Sequence, residues 1–310
     1  MSDQGLPRRV LGRTGLEVTT LGYGAMSLDS RFGREVSLDE ARAMLNAVLD
    51  AGINLIDTSP DYGPSEEMIG ASIAGRRDEY VLATKVGCPV AVETPAGERP
   101  RHVYTRENVR AAIEQSLRRM RTDRLDVVQF HGSPSREALE EHGALEELRE
   151  QQAAGAIRFI GMSGTIPNLA DQIAMGVFDE FQIPYSALQR EHEGLIADAA
   201  AAGAGTVIRG GVARGGPAED KAWDVRRLPE VEPERPRALW ETAGLDELLD
   251  GMSRMEFMLR FTLSHPGVQT TIVGTASRDH LAANVEAARK GALPGEVYAE
   301  AMRRLDSAAR

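Results

Sequence analysis

The stretch Ser37-Leu38-Asp39-Glu40-Ala41-Arg42-Ala43-Met44-Leu45-Asn46-Ala47-Val48-Leu49-Asp50-Ala51-Gly52-Ile53-Asn54-Leu55-Ile56-Asp57 contains one repeating unit of the fold. Ser37 and Glu40 make a capping-box pattern, and Ala41, Leu45, Val48 and Leu49 recur at helical spacing until Gly52 stops the helix. Ile53–Asp57 then reads as a short apolar strand ending in a carboxylate.

The same alternation continues on both sides. Candidate strands are Val18–Gly24, Ile53–Asp57, Tyr80–Lys85, Asp126–His131, Ile157–Ser163, Glu180–Pro184, Gly205–Gly210 and Gln269–Gly274. A second helix runs from Thr105, with Val109, Ile113, Leu117 and Met120 on one face. Arg118, Arg119 and Arg121 lie near its C-terminal end, where the helix dipole favours cations. Further helical stretches are Arg136–Ala153, Asn168–Met175, Glu191–Ala202, Leu245–Ser264 and Arg278–Lys290.

Eight strands, mostly separated by helices and without a break in composition, predict one (β/α)8 TIM barrel over residues 1–310 rather than two domains. A doubly wound sheet would carry a glycine fingerprint after its first strand. Here Gly22-Tyr23-Gly24 is followed by Ala25-Met26-Ser27, without the third glycine. Pro89–Tyr104 and Gly215–Gly244, rich in Pro and charge, read as long loops at the C-terminal mouth, with Trp223 and Trp240 in the second.

Composition narrows the function. The chain has 310 residues, 42% of them hydrophobic, enough for a large core. Its 36 Lys+Arg against 47 Asp+Glu leave a net charge of −11, which disfavours a nucleic-acid partner bound through its phosphates. No apolar run approaches the roughly 18–20 residues that span a bilayer, so no membrane role is expected. The polar start Met1-Ser2-Asp3-Gln4-Gly5 lacks a secretory pattern, and the expected location is cytoplasmic. A single cysteine, Cys88, excludes an internal disulfide framework and a cysteine-rich metal site, and reads as a small apolar filler. The six histidines show no H-E-x-x-H spacing, so no metal is expected.

In a parallel barrel the C-terminal strand ends converge on one mouth. Asp57, Tyr62, Lys85 and His131 lie at or just after such ends. Each has an ordinary structural role open to it: a cap, a surface aromatic, a snorkelling strand end, a satisfied core histidine. Together they bring a carboxylate, a phenol, an ammonium and an imidazole to one place. An ammonium beside a phenol favours phenolate and lowers its pKa from near 10. A carboxylate would fix that ammonium, and the imidazole would orient an incoming carbonyl. Such a set suits proton donation to a carbonyl that accepts hydride, or the reverse.

These residues also carry a resemblance. Gly52-Ile53-Asn54-Leu55-Ile56-Asp57-Thr58-Ser59-Pro60-Asp61-Tyr62-Gly63-Pro64-Ser65-Glu66 resembles the aldo-keto reductase signature G-x-N-x-x-D-T-A-x-x-Y-G-x-S-E, departing only at Ser59. Leu82-Ala83-Thr84-Lys85 is similar to the family's strand ending in the active-site lysine, and Leu125–His131 to its strand ending in histidine. Ile157–Ser163 resembles R-x-I-G-V-S, Gln182-Ile183-Pro184-Tyr185 the strand with the cofactor-contacting glutamine, and Leu11–Leu16 the β-hairpin on the barrel floor. The resemblance implies an NAD(P)H-dependent carbonyl reductase with Tyr62 as general acid–base, Lys85 lowering its pKa, Asp57 pairing with Lys85 and His131 positioning the substrate.

It also implies the cofactor contacts. Gly24, Ala25, Met26 and Asp57 line the mouth, and Ser163, Gly164 and Gln182 take the nicotinamide, although asparagine is usual at Gly164. Arg209 stands where the family often has a stacking aromatic. Gly210, Val212 and Arg214 belong to the loop around the pyrophosphate. Gly274, Thr275, Ser277, Arg278, His280 and Asn284 form the adenosine end at a helix N-terminus. Lysine is common at Gly274 and arginine at His280, so the basic pattern is diluted. Arg278 keeps one charged fork, which makes NADP(H) the first expectation and NAD(H) the alternative. Asp279 reads as a helix cap. The expected partner is a small carbonyl or alcohol substrate, with the oligomeric state open. The competing function is a nicotinamide-nucleotide-binding regulatory subunit without turnover; a phosphate-handling barrel lyase or isomerase is a third.

Overall fold

The computed structural model describes residues 5–32, 34–90, 102–218 and 234–309. An antiparallel hairpin of β1 (Arg8–Val10) and β2 (Glu17–Thr19) opens the chain. The barrel strands are β3 (Leu21–Gly24), β4 (Leu55–Asp57), β5 (Val81–Val86), β6 (Leu125–Phe130), β7 (Ile157–Ser163), β8 (Glu180–Pro184), β9 (Gly205–Arg209) and β10 (Thr270–Val273). They close in chain order, all parallel, with β10 between β9 and β3.

Helices between the strands form the outer layer. They are α1 (Leu38–Asp50), α2 (Ser65–Ile73), α3 (Arg106–Met120), α4 (Arg136–Glu140), α5 (Ala144–Ala153), α6 (Leu169–Ala174), α7 (Glu193–Ala201), α8 (Glu234–Thr242), α9 (Arg254–Ser264), α10 (Arg278–Arg289) and α11 (Gly295–Ala308). On α1 the capping box forms in full, Ser37 Oγ accepting from Glu40 N and Glu40 accepting from Ser37 N. Its face of Ala41, Met44, Leu45, Val48 and Leu49 is buried. Each large side chain there stabilises the fold by about 1.5–3 kcal/mol.

Inside the barrel, residues of one strand parity stack in levels. At the bottom Leu55, Val81, Ala83, Val127 and Val207 meet Leu11, Leu16 and Val18, so the hairpin plugs the floor. Gly205 leaves room for that plug, since a Cβ there would lie 2.6 Å from Leu11. Asn54 ties the plug to β4, accepting from Thr19 N at 2.7 Å and donating to Glu17 O at 2.8 Å. Asp126 secures the floor beside it. It accepts from Arg77 (2.6 Å), Arg158 (2.8 Å) and the Leu82 backbone N–H (2.9 Å).

Several element boundaries differ from the sequence expectation. Val18–Gly24 is two strands meeting at Thr20, because the hairpin and the barrel each take a share. Arg136–Ala153 breaks into α4 and α5 at Gly143, whose φ is +69°. Leu245–Ser264 breaks near Gly251, at φ +80°, so that only Arg254–Ser264 is α-helix. The second long loop contains α8, where Trp240 is buried, donates to Asp246 at 2.9 Å and meets Phe257 edge-on. Trp240 thus holds that segment to the barrel wall. Trp223 and residues 91–101 lie outside the described residues.

Candidate active site

The top level of the barrel interior is polar. Lys85 ends the inward row of β5 and is fully buried, so its ammonium needs fixed partners. Nζ donates to Asp57 Oδ1 (2.8 Å), Asp57 Oδ2 (2.9 Å) and Thr58 O (2.8 Å). Burial works against the charge, but the fields of Asp57 and Tyr62 outweigh it, and the Lys85 pKa stands above its ordinary value. Gln182 on β8 donates to Asp57 Oδ2 at 2.8 Å and completes this network.

Tyr62 is carried by the loop after β4. A turn bonds Tyr62 N to Ser59 O and Ser65 N to Tyr62 O, and Gly63 takes φ +50° against Asp29 beneath it. Arg31 braces the loop by bonding both Asp29 and the Asp61 carbonyl. Behind it, Ser65 bonds Thr58 and the Ala25 carbonyl, while buried Glu66 accepts from Thr84 and Ser116. Tyr62 therefore stands in a fixed place, with Lys85 Nζ 5.1 Å from its ring centre.

One electrostatic expectation is reversed in sign. Burial raises the Tyr62 pKa above its ordinary value, although Lys85 pulls it down and Asp57 and Asp61 push it up. Without a ligand the phenol stays protonated, and Lys85 limits the rise rather than producing a net fall. His131, at the end of the same inward row as Gln129, lies edge-on to Tyr62 with ring centres 6.1 Å apart. Burial, helped by Lys85, His102 and Arg209 and opposed by Asp61, lowers its pKa to about 3. The imidazole is neutral at physiological pH.

Asp57, Tyr62, Lys85 and His131 are thus gathered at one mouth, where a neutral imidazole and a protonated phenol face the same space beside a buried ammonium. Such a set can bind a carbonyl oxygen and give it a proton. A profile of the Aldo/keto reductase family matches residues 20–306. The chain belongs to that family.

Individual relatives agree. An aldo-keto reductase from Bacillus halodurans (AKR11C1, holo form) superposes with a TM-score of 0.81 at 28% identity, over 96% of each chain. An uncharacterized oxidoreductase of Bacillus subtilis (YqkF) is 27% identical over 93% of both chains. An L-galactose dehydrogenase of Arabidopsis thaliana is 36% identical over 50% of this chain and 48% of its own. The protein is an oxidoreductase of the aldo-keto reductase type, a class that works with nicotinamide cofactors.

The residues expected at the cofactor lie on several strand ends and loops around the mouth. Ser163 and Gln182 face each other across β7 and β8. Arg209 ends β9, close enough for its charge to act on Tyr62 and His131. Gly210, at φ +73°, has open space where a side chain would stand, which suits approach of a phosphate to the backbone. Val212 is buried beside it; the Arg214 side chain lies outside the described residues. Gly24 lies against Gly274, Ala25 and Met26 follow in a short 3-10 turn, and Tyr23 OH bonds the Thr275 carbonyl at 2.8 Å. Ser277, not Asp279, caps α10, its Oγ accepting from His280 N; Asp279 sits in the first turn. The first N–H groups of that helix lack intrahelical acceptors and favour an anion. Arg278 bonds the Ala43 carbonyl, while His280 is exposed and Asn284 half-buried on the same helix.

The two glycine departures sit in crowded places, against side-chain ends at Gly164 and against the main chain at Gly274. At Gly164 a Cβ would lie 2.6 Å from Leu169 and 2.8 Å from Gln172. Gln172 fills that place and bonds the Pro134 carbonyl at 2.7 Å. At Gly274 a Cβ would lie 2.6 Å from the Gly24 carbonyl oxygen.

Other polar residues of the site escaped the sequence reading. Gln129 and Glu180 form a level between the plug and Lys85, bonded at 3.1 Å, each with one buried oxygen unpartnered. Burial and the nearby Asp57 carboxylate raise the Glu180 pKa well above the usual range. Both stand two residues before a site residue, His131 and Gln182, and that period of two was the available signal. Cys88 is buried, as a filler would be, but it also makes polar contacts. Its Sγ is 3.2 Å from His131 Nδ1 and 3.6 Å from Ser59 Oγ, because the chain beyond β5 turns it towards the mouth.

Proposed function

We propose that this oxidoreductase interconverts a small aldehyde or ketone and the matching alcohol or sugar, with Tyr62 as general acid–base and NADP(H) as the cofactor. The observation that carries this is the Asp57-held Lys85 ammonium 5.1 Å from the Tyr62 ring, beside a neutral His131. His131 donates a hydrogen bond to the carbonyl oxygen and sets its direction. Tyr62 gives its phenolic proton to that oxygen as negative charge develops there. Lys85 then stabilises the phenolate left behind, a role that asks for a cation close by rather than a low resting pKa. Asp57 and Gln182 keep the ammonium from drifting.

The chemistry supplied by a bound nicotinamide dinucleotide is the hydride added to the carbonyl carbon. Ser163 and Gln182 would hold its carboxamide end, the Gly210–Val212 backbone its phosphates, and Arg278, Ser277 and Asn284 its adenosine. NADP(H) is preferred because Arg278 offers a guanidinium at a helix N-terminus. Arg209, in place of an aromatic, would lie against the nicotinamide.

The test is an absorbance assay with NADPH and with NADH against a panel of aldehydes, ketones and sugars, on wild type and Tyr62→Phe. Cofactor-dependent turnover is expected, with kcat in the variant lower by about 10²–10⁴-fold. Full turnover in Tyr62→Phe would remove the mechanism. Tight cofactor binding without consumption of any substrate would point to a regulatory subunit instead.

A further inference from the structure

We propose that Cys88, His102 and His131 form a binding site for a thiophilic divalent cation, with Zn2+ the ion the donors fit, on the flank of the active site. The three residues come from different segments: Cys88 beyond β5, His131 beyond β6, and His102 on the approach to α3. One ligand atom from each lies within 4.8 Å of the others, and Cys88 Sγ is 3.2 Å from His131 Nδ1. A tetrahedral zinc with bonds of about 2.3 Å to sulfur and about 2.0 Å to nitrogen spaces its ligand atoms roughly 3.3–3.6 Å apart. Adjustments of about an ångström complete the set. Asp61 Oδ1, bonded by Ser59 Oγ at 2.5 Å, lies 3.8 Å from the same His131 nitrogen and adds a carboxylate next to the three-residue set.

The donor chemistry selects the metal. One sulfur and two imidazoles suit zinc and neighbouring soft ions, whereas magnesium and calcium need oxygen shells. Thiolate and carboxylate together balance the two positive charges. The surroundings are also shaped for the cluster. Gly132, at φ +82°, has no side chain where one would strike the His102 ring at 2.6 Å. Tyr104 stacks on His102 and bonds the His131 carbonyl at 2.6 Å, holding both histidine segments together.

Binding is a ligand exchange without redox change. The Cys88 S–H bond breaks, the S–Zn bond forms, and the proton leaves to solvent. Zinc on Nδ1 commits the His131 ring and draws on Asp61, next to Tyr62 in the chain. Occupancy therefore lowers carbonyl turnover. That consequence rests on the function proposed above; metal binding does not.

The experiment uses the full chain, stripped with a chelator, and Co2+ as probe. A thiolate-to-cobalt charge-transfer band is expected at one ion per chain, removed by Zn2+ and unaffected by Mg2+. Cys88→Ser should lose the band. Both Cys88→Ser and His102→Gln should bind Zn2+ at least tenfold more weakly, measured by competition with a zinc-chelating dye, and His102→Gln should keep wild-type turnover in chelator. Zn2+ should inhibit wild type, reversibly on chelation, and inhibit the two variants less. Absence of the cobalt–thiolate band, or equal Zn2+ affinity in wild type and both variants, would overturn the site. The cobalt spectrum needs no substrate, so failure of the proposed reaction would leave this readout intact.

Discussion

Gln182 reaches across the barrel from β8 to β4 and donates its amide to Asp57 Oδ2 at 2.8 Å. The bond lies in a fully buried place and ends on the carboxylate that holds Lys85. Hydrogen bonds to buried charges contribute about 1.5–3 kcal/mol. Gln182→Met, similar in volume, is expected to lose about 2 kcal/mol in urea unfolding and to lower kcat more than it raises KM for the carbonyl. An unchanged unfolding midpoint and unchanged kcat would show that Asp57 is sufficiently held by Lys85 alone.

The sign of the Tyr62 shift sets the pH behaviour. A phenol raised by burial stays protonated across the neutral range, so carbonyl reduction should hold a plateau there. Alcohol oxidation needs the phenolate and should climb with pH over the same interval. Lys85→Met removes the cation that pulls the pKa down. Its rising limb for oxidation should therefore move to higher pH than in wild type. A limb that moved to lower pH would contradict the assigned role of Lys85.

His131, with its pKa lowered to about 3, should show no ring titration between pH 5 and 8 by NMR. In the unfolded chain a histidine takes its proton near pH 6.5. The folded state thus loses stability as pH falls from about 6.5 towards 3, because the unfolded state binds the extra proton first. Unfolding midpoints measured at pH 7 and pH 5 in wild type and His131→Asn test this: the drop should be smaller in the variant.

On the barrel floor, Asp126→Ala leaves Arg77 and the Leu82 N–H without their buried acceptor. Breaking such a pair costs about 3 kcal/mol or more, while the half-exposed Arg158 adds little. The expected result is a lower urea midpoint with turnover per folded molecule retained. Loss of turnover at full stability would mean that the floor and mouth are coupled.

The barrel and its polar mouth were legible because inward rows such as those of β4 and β5 begin apolar and end polar, as in Leu55 then Asp57, or Val81, Ala83 then Lys85. The capping box of α1 was local and therefore readable, whereas Ser277 caps α10 where Asp279 was expected. Gln172 was hidden, since nothing local says that its side chain fills the space beside Gly164. The contact of Cys88 with His131 was hidden for the same reason: it depends on how two strand ends, 43 residues apart, turn outward. The lowering pull of Lys85 on Tyr62 was legible, but not the net rise, because a sequence shows the neighbouring cation and not the loss of water around the hydroxyl.

The crowding at Gly274 also bears on redesign. Where the last barrel strand meets the first, there is no room to graft a long basic side chain, since even its first carbon would collide with the main chain. An engineer wishing to retune the cofactor's ribose end would have to come from the solvent side of α10 instead, beginning at the exposed His280.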